Sequence, residues 1–239
     1  MTIQNFYLLA GLLIAVPFWI FIFCKSDKSQ HKKILVYSVA FGIVSPIIDY
    51  FYSLHDYWHP VLLFGNDFPP IEAALYGFFF LGGISGLVVV AKNLRIIGKP
   101  KRNNWVIISY IVTTVLSFFL LVDVLKFNSI TAFIAGPMII GIISLVCLKE
   151  KDKLSLHMIN GLLTVGLTLI LYVIILVFVP DVFEKYWYIG NTMGINLFDI
   201  PLEEFVFAFA IGFGTASAYE AIYGLKQRSI RGVSNKRLL

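Results

Sequence analysis

Seven apolar runs, each about 20 residues long, constrain this chain more than any other feature. They cover 4–24, 34–53, 71–91, 104–123, 128–148, 156–179 and 201–223. A run of that length crosses the roughly 30 Å hydrocarbon core of a bilayer as a helix, because lipid cannot satisfy open backbone groups. Composition agrees: of 239 residues, 59% are hydrophobic and 14% charged, whereas a soluble domain carries about a quarter charged residues on average. The reading is an all-α, polytopic membrane protein with seven transmembrane helices. Met1-Thr2-Ile3-Gln4-Asn5 carries no basic residue, and Phe23 before Cys24 is too large for a cleavage or lipidation site. The first run is therefore expected to remain in the mature protein.

The cations set the expected orientation. Of 19 Lys and Arg, 17 lie in 25–33, 92–102, 149–153 and 226–237, leaving only Lys126 and Lys185 elsewhere. The positive-inside rule then places the N-terminus outside and the C-terminus in the cytoplasm, with an odd number of crossings. Because the net charge of +5 is spread over four separate loops, membrane topology accounts for it and nucleic acid is excluded as a partner. Cys24 and Cys147 lie far apart beside lysines and suggest neither a disulfide framework nor a thiolate metal site. His55 and His59 flank Asp56 without a third ligand at a fixed spacing, and His31 and His157 are isolated, so no metal is expected.

The acids run the other way. Ten of 14, among them Asp49, Asp56, Asp67, Glu72, Asp181, Asp199, Glu203 and Glu204, fall on outward loops or outward helix ends; Asp123 and Glu184 read as a solvated rim. Residues 56–86 and 187–217 also echo each other at an offset of 131. Asp67-Phe68-Pro69-Pro70-Ile71-Glu72-Ala73 aligns with Phe198-Asp199-Ile200-Pro201-Leu202-Glu203-Glu204. A Trp–Tyr pair precedes each (Tyr57-Trp58 and Trp187-Tyr188), and an Asp stands before that (Asp49 and Asp181). The chain thus divides into a three-helix repeat at 1–100, a linker helix at 101–126 and a second three-helix repeat with a basic tail at 127–239. A parallel duplication of this kind puts a shared site between its halves.

Pro70 and Pro201 suit helix starts, and Glu72 and Glu203 follow two residues later, where a helix N-terminus favours a carboxylate. Simple capping needs one acid. It does not account for Glu203 and Glu204 side by side at the head of an apolar run, and acids at membrane depth usually face a cavity. Trp58, Trp187, Tyr186 and Tyr188 read first as an interfacial aromatic belt. The Phe-rich stretches of the third and seventh helices are either lipid-facing or a wall for a cation. Gly212-Phe213-Gly214-Thr215-Ala216-Ser217 lies inside an apolar helix and reads as close helix packing, not as a dinucleotide loop.

Asp181, Trp187-Tyr188, Thr192-Met193-Gly194-Ile195 and above all Ile200-Pro201-Leu202-Glu203-Glu204-Phe205-Val206-Phe207 resemble the signature of the small membrane-integral lycopene cyclase domain. The whole chain resembles the tandem two-copy form. In its first copy Pro70-Ile71-Glu72 keeps the pattern, while Ala73 stands where a second acid is often seen. The resemblance implies a multi-pass protein of a prokaryotic cell membrane. It also implies an isomerase (an intramolecular lyase) that closes the acyclic ψ-ends of a carotenoid into ionone rings without net redox change or cofactor. A carboxylic acid protonates a terminal double bond, the cation cyclises, and a base removes a proton. Glu203 and Glu204 are the expected acid and cation-stabilising base, Glu72 their counterpart, and Asp49 and Asp181 further candidates. Trp187, Tyr188, Trp58, Phe207, Pro201 and Pro70 are expected at the substrate. Expected partners are a hydrophobic polyene, membrane lipids and, for an oligomer, a second chain of the same or another kind.

Two other classes share the plan. A small transporter of the three-plus-one-plus-three type carries a Pro-Gln pair in each repeat, which this sequence lacks. A retinal photoreceptor needs a lysine inside the seventh helix, and none lies between Pro201 and Tyr223. A non-catalytic, degenerate paralogue is the remaining alternative.

Overall fold

A computed structural model describes residues 6–65, 69–148 and 153–230. Met1–Asn5, Asp67 and Phe68 of the repeated motif, Lys149 and Lys151, and Arg231, Lys236 and Arg237 of the basic tail lie outside the described residues. Seven helices are long and apolar enough to cross a membrane: α1 Tyr7–Lys25, α2 Lys28–Asp56, α3 Ile71–Lys92, α4 Asn104–Val124, α5 Ser129–Leu148, α6 Lys153–Phe178 and α7 Leu202–Tyr223. Two of them are central, α3 (61% buried) and α7 (78%), while the other five bury only 17–28% and turn apolar faces outward. Leu13, Val115, Val146, Ile170 and Val177 are among the exposed aliphatics, a surface suited to lipid.

Small residues let the central helices approach their neighbours. A Cβ on Gly82 of α3 would come within 2.6 Å of the Ser38 Cα on α2, and one on Gly212 of α7 within 2.6 Å of the Asn160 carbonyl oxygen on α6. The Gly212–Ser217 stretch is therefore close packing, as its composition suggests. Asn160 sits where α3, α6 and α7 meet. Its Oδ1 accepts from the Val88 N–H at 2.9 Å, and its Nδ2 donates to the Gly212 carbonyl at 2.7 Å.

Helix α2 begins well before the apolar run that marks it, because Asp27 caps it by accepting from the Ser29 N–H at 2.9 Å. That extra turn and a half corrects one expectation. Lys33, grouped by sequence with the solvated cations of the 25–33 loop, is fully buried on α2. Its Nζ donates to the Ala216 carbonyl at 2.8 Å and lies 3.1 Å from Glu220 of α7, itself fully buried. Gln227 completes the cluster, donating through Nε2 to Glu220 at 2.6 Å. His157, isolated in sequence, is bound at the same end, with Nδ1 2.6 Å from the Phe213 carbonyl and Nε2 2.6 Å from the Ser217 hydroxyl.

Backbone pairing ties the two parts of the chain together at both ends of the bundle. Strand β1 (Leu94–Ile97), which follows α3, runs antiparallel to β4 (Lys226–Ser229), which follows α7. At the opposite end Trp58 bridges Trp187, with the His59 N–H donating to the Tyr186 carbonyl at 2.8 Å and the Tyr188 N–H to the Tyr57 carbonyl at 2.9 Å. There, β2 (Asn196–Leu197) and β3 (Ile200–Pro201) form a hairpin through Phe198 and Asp199, both at positive φ (55° and 62°), and deliver the chain into α7.

Candidate active site

The cavity lies at the Trp58 end, between the central helices and their partners. It has a volume of about 120 Å³ and a predominantly apolar wall that includes Phe80, Ile130, Phe133, Leu171, Ile175 and Phe207. Two carboxyls line it, Asp49 from α2 and Glu204 from α7. A narrower slot adjoins it, sharing Tyr76, Phe80 and Phe207 and reaching Thr164, Thr168 and Ile84 deeper in the bundle.

Glu204 is placed by the start of α7. Pro201 is the residue before the first turn, where a missing N–H leaves nothing unsatisfied, and Glu203 and Glu204 follow in that turn. Neighbouring helical residues point about 100° apart, so the doubled acids separate. Glu204 turns inward and accepts three hydrogen bonds: Oε1 from the Tyr57 hydroxyl and the Trp187 indole N–H, both at 2.9 Å, and Oε2 from the Tyr172 hydroxyl at 2.5 Å. Burial, and then Glu204 beside it, push the Tyr57 hydroxyl well above the usual tyrosine range, so it remains a donor. Three donors converging on one carboxyl form the environment of a carboxylate, which only accepts.

Glu203 turns the other way, toward the preceding loop, where its Oε1 accepts from the Met193 N–H. Glu72 does the same at the head of α3, accepting from the Leu63 N–H at 2.6 Å. Both are buried, and neither lines the cavity. The side-by-side acids, read in sequence as a pair in one chamber, are therefore divided between the cavity and a loop. Pro70 is buried before the first turn of α3 as Pro201 is before α7, and neither proline faces the cavity. Ala73, the position aligned with Glu204, packs with Tyr7, Leu54 and Leu62 behind the Trp58 and Tyr76 wall of the cavity and does not line it.

Asp49 opens a π-helical turn, Asp49–Ser53, three residues after Pro46, which cannot donate to the helix ladder. Ser45 and Ser53 share its wall of the cavity. A second π-helical turn, Tyr76–Leu81 in α3, supplies Tyr76, Phe80 and Leu81 to the same wall. Asp181 is elsewhere. It is half-exposed at the head of a short helix, Val182–Tyr186, and pairs with Lys185 at 2.6 Å, which holds it below the usual carboxylate range.

Of the aromatic candidates, Trp187 and Trp58 line the cavity, with ring centroids 5.7 Å apart, and so does Phe207, packed edge-on against Phe133 with centroids 5.7 Å apart. Trp187 is buried and bonded to Glu204, so it is not part of an interfacial belt. Tyr188 is outside the cavity, its ring edge-on to His59 at 4.5 Å. Asp56 closes the same end of the bundle. Its carboxylate accepts from the Ser129 N–H and hydroxyl, both at 2.6 Å, and so fixes the head of α5 against the end of α2.

The two tyrosines bonded to Glu204, Tyr57 and Tyr172, are not among the site residues expected from the sequence. Tyr57 stands beside Trp58, but Tyr172 is one hydroxyl in the middle of an apolar run and carries no local signal. Among the described residues no group of three His, Cys, Asp or Glu side chains could hold a metal ion. No curated protein and no solved structure matches the chain. The family model described as lycopene cyclase matches residues 128–222, which comprise α5, α6 and nearly all of α7, and so include Tyr172, Trp187 and Glu204.

Proposed function

We propose that this chain is a carotenoid cyclase of the membrane, converting an acyclic ψ-end into an ionone ring without redox change. The observation that carries the reading is the cavity itself: two carboxyls, one of them held by three donors, in a predominantly apolar chamber within the bundle. The family match over 128–222 supports the same chemistry.

In this reading Asp49 is the proton donor. Its O–H bond breaks as a C–H bond forms at C2 of the terminal C1=C2 double bond, leaving a tertiary cation at C1. The C5=C6 electron pair then closes the C1–C6 bond and moves the cation to C5. Glu204, fixed as a carboxylate by Tyr57, Tyr172 and Trp187, opposes the developing positive charge in a medium of low dielectric and takes the proton whose loss leaves the ring alkene. Tyr76, Phe80 and Phe207 present aromatic surface to the cation, each contact worth about 0.5–2 kcal/mol. The apolar wall keeps water from trapping the cation as an alcohol. Exchange with solvent resets both carboxyls between turnovers.

The chain is further read as two similar three-helix units, 1–100 and 127–239, joined by the 101–126 linker. The β1–β4 pairing and the Trp58–Trp187 bridge support this, since each joins corresponding segments of the two units. The Trp58 end then faces outward and the Lys33 end the cytoplasm of a prokaryotic cell. The substrate is a polyene dissolved in the bilayer.

Expression in a lycopene-accumulating bacterium tests the activity. Chromatography of the extracted pigments is expected to show monocyclic or bicyclic carotenes. Unchanged lycopene beside well-inserted protein would reject lycopene as the substrate.

A further inference from the structure

At the Lys33 end of the bundle the two central helices are tied by a ribbon that sets like charges face to face. Strand β1 follows α3, strand β4 follows α7, and their antiparallel register puts Arg95 directly opposite Arg228. Alternate side chains of a ribbon point to opposite faces. One face is turned inward, where Leu94 packs with Val88 and Val89 and Gln227 bonds to Glu220. The other face therefore carries Arg95, Arg228 and Lys226. Cβ atoms directly opposite each other are about 4.5–5.5 Å apart, and like charges in that position destabilise the pairing. Among the described residues no carboxylate forms an ion pair with either arginine, and the Arg95 Nε is buried without a hydrogen-bond partner. Asp27 is within Coulombic reach of Arg95, but its carboxylate accepts from the Ser29 N–H at the head of α2.

The ribbon stands at headgroup depth. The Lys101 and Asn103 N–H groups donate to the Tyr223 and Ile222 carbonyls at 2.8 and 2.7 Å, which fixes the head of α4 beside the end of α7, where β4 begins. Trp105 in the first turn of α4 is 77% exposed, and an exposed indole at a helix end belongs to the membrane interface. We propose that Arg95 and Arg228 form a binding site for the phosphate of an anionic phospholipid in the leaflet at the Lys33 end. Two guanidinium forks on one face of the ribbon match a phosphate in geometry as well as charge, and the bound anion removes the repulsion between them. A lipid held there clamps the end of α3 to the end of α7, the helices that carry Tyr76 and Glu204 into the cavity wall. The site is independent of the reaction proposed for the cavity.

Thermal unfolding of the full chain, delipidated in a non-ionic detergent and titrated with lipid, tests this. Phosphatidylglycerol is expected to raise the unfolding temperature saturably, and phosphatidylcholine or inorganic phosphate at the same concentrations to leave it unchanged. Arg95→Gln and Arg228→Gln should each raise the half-saturating phosphatidylglycerol concentration by about tenfold, the loss of one charged hydrogen-bonding partner. The double variant Lys99→Gln and Lys101→Gln removes two cations from the adjoining loop and should leave that concentration unchanged. An equal response to phosphatidylcholine would overturn the proposal. So would the same weakening in the lysine variant, which would show diffuse attraction to a basic surface. The full shift from inorganic phosphate alone would show a free-anion site and contradict the lipid assignment. Native mass spectrometry of the wild-type protein needs no variant that folds: one phosphatidylglycerol should stay bound per chain at activation energies that strip phosphatidylcholine. Equal loss of the two lipids would contradict the site.

Discussion

Removing single donors from Glu204 probes the site more finely than removing the carboxyl. Trp187→Phe deletes an indole N–H 2.9 Å from Oε1, and Tyr172→Phe deletes a hydroxyl 2.5 Å from Oε2; both keep an aromatic ring in the cavity wall. A hydrogen bond to a charged group contributes about 1.5–3 kcal/mol. If Glu204 must stay a fixed counter-charge while the cation forms, losing that hold raises the barrier by a similar amount. At 1.36 kcal/mol per decade this is a fall of about 10- to 160-fold in ring formation for either variant. Because the donors converge on one group, the double variant should fall by less than the product of the single effects. Conversion of lycopene in liposomes, normalised to protein that elutes as a folded species from a sizing column, reads the rate. Full activity in both single variants would show that Glu204 does not act through this cradle, and the assignment of the counter-charge would fail.

The remaining predictions concern the frame that holds the chamber. Lys33→Met should destabilise the detergent-solubilised protein by about 3–5 kcal/mol, because it leaves Glu220 buried without its counter-charge, and adding Glu220→Leu should recover much of that loss in thermal unfolding. Asn160→Leu removes the hydrogen bonds to the Val88 N–H and the Gly212 carbonyl at the crossing of α3, α6 and α7, at about 0.5–1.5 kcal/mol for each bond, and should lower the unfolding temperature. Glu72→Gln and Glu203→Gln keep an acceptor for the Leu63 and Met193 amides, so activity per folded molecule should survive in both. Asp181→Asn should leave the rate unchanged, since that side chain is half-exposed beside Lys185; a lost rate in any of these three would place the carboxylate in the chemistry after all.

Much of the helix plan could be read from the sequence, because a lipid-crossing helix must be a continuous apolar run and little else imitates one. Among the described residues each of the seven runs holds a helix long enough to cross the membrane. The ends were less legible. Lys33 looks like a loop cation until Glu220, 187 positions away, is seen to neutralise it, and nothing local announces such a partner. The motif around Pro201 marks the turn of α7 that carries Glu204 into the cavity wall. It could not say that Glu203 serves the loop and Glu204 the cavity, because that depends on helical phase relative to a chamber built by other helices. Asp49 drew attention as an acid at membrane depth, and the π-helical turn that presents it follows Pro46 on the same helix. Asp181, its proposed partner in the repeat, stands half-exposed at the head of the short Val182–Tyr186 helix instead. Tyr172 was invisible because an isolated tyrosine in an apolar span has the same composition whether its hydroxyl meets a carboxylate or the headgroup region.

The central claim is that a buried carboxyl hands a proton to a hydrocarbon. Turnover of lycopene in liposomes prepared in heavy water, followed by mass spectrometry of the pigments, tests it most directly. The account predicts one deuterium on carbon for each ring formed, placed at C2, and no ring from Asp49→Asn or Glu204→Gln. Rings formed without deuterium, or formed as fast by those two variants, would contradict it.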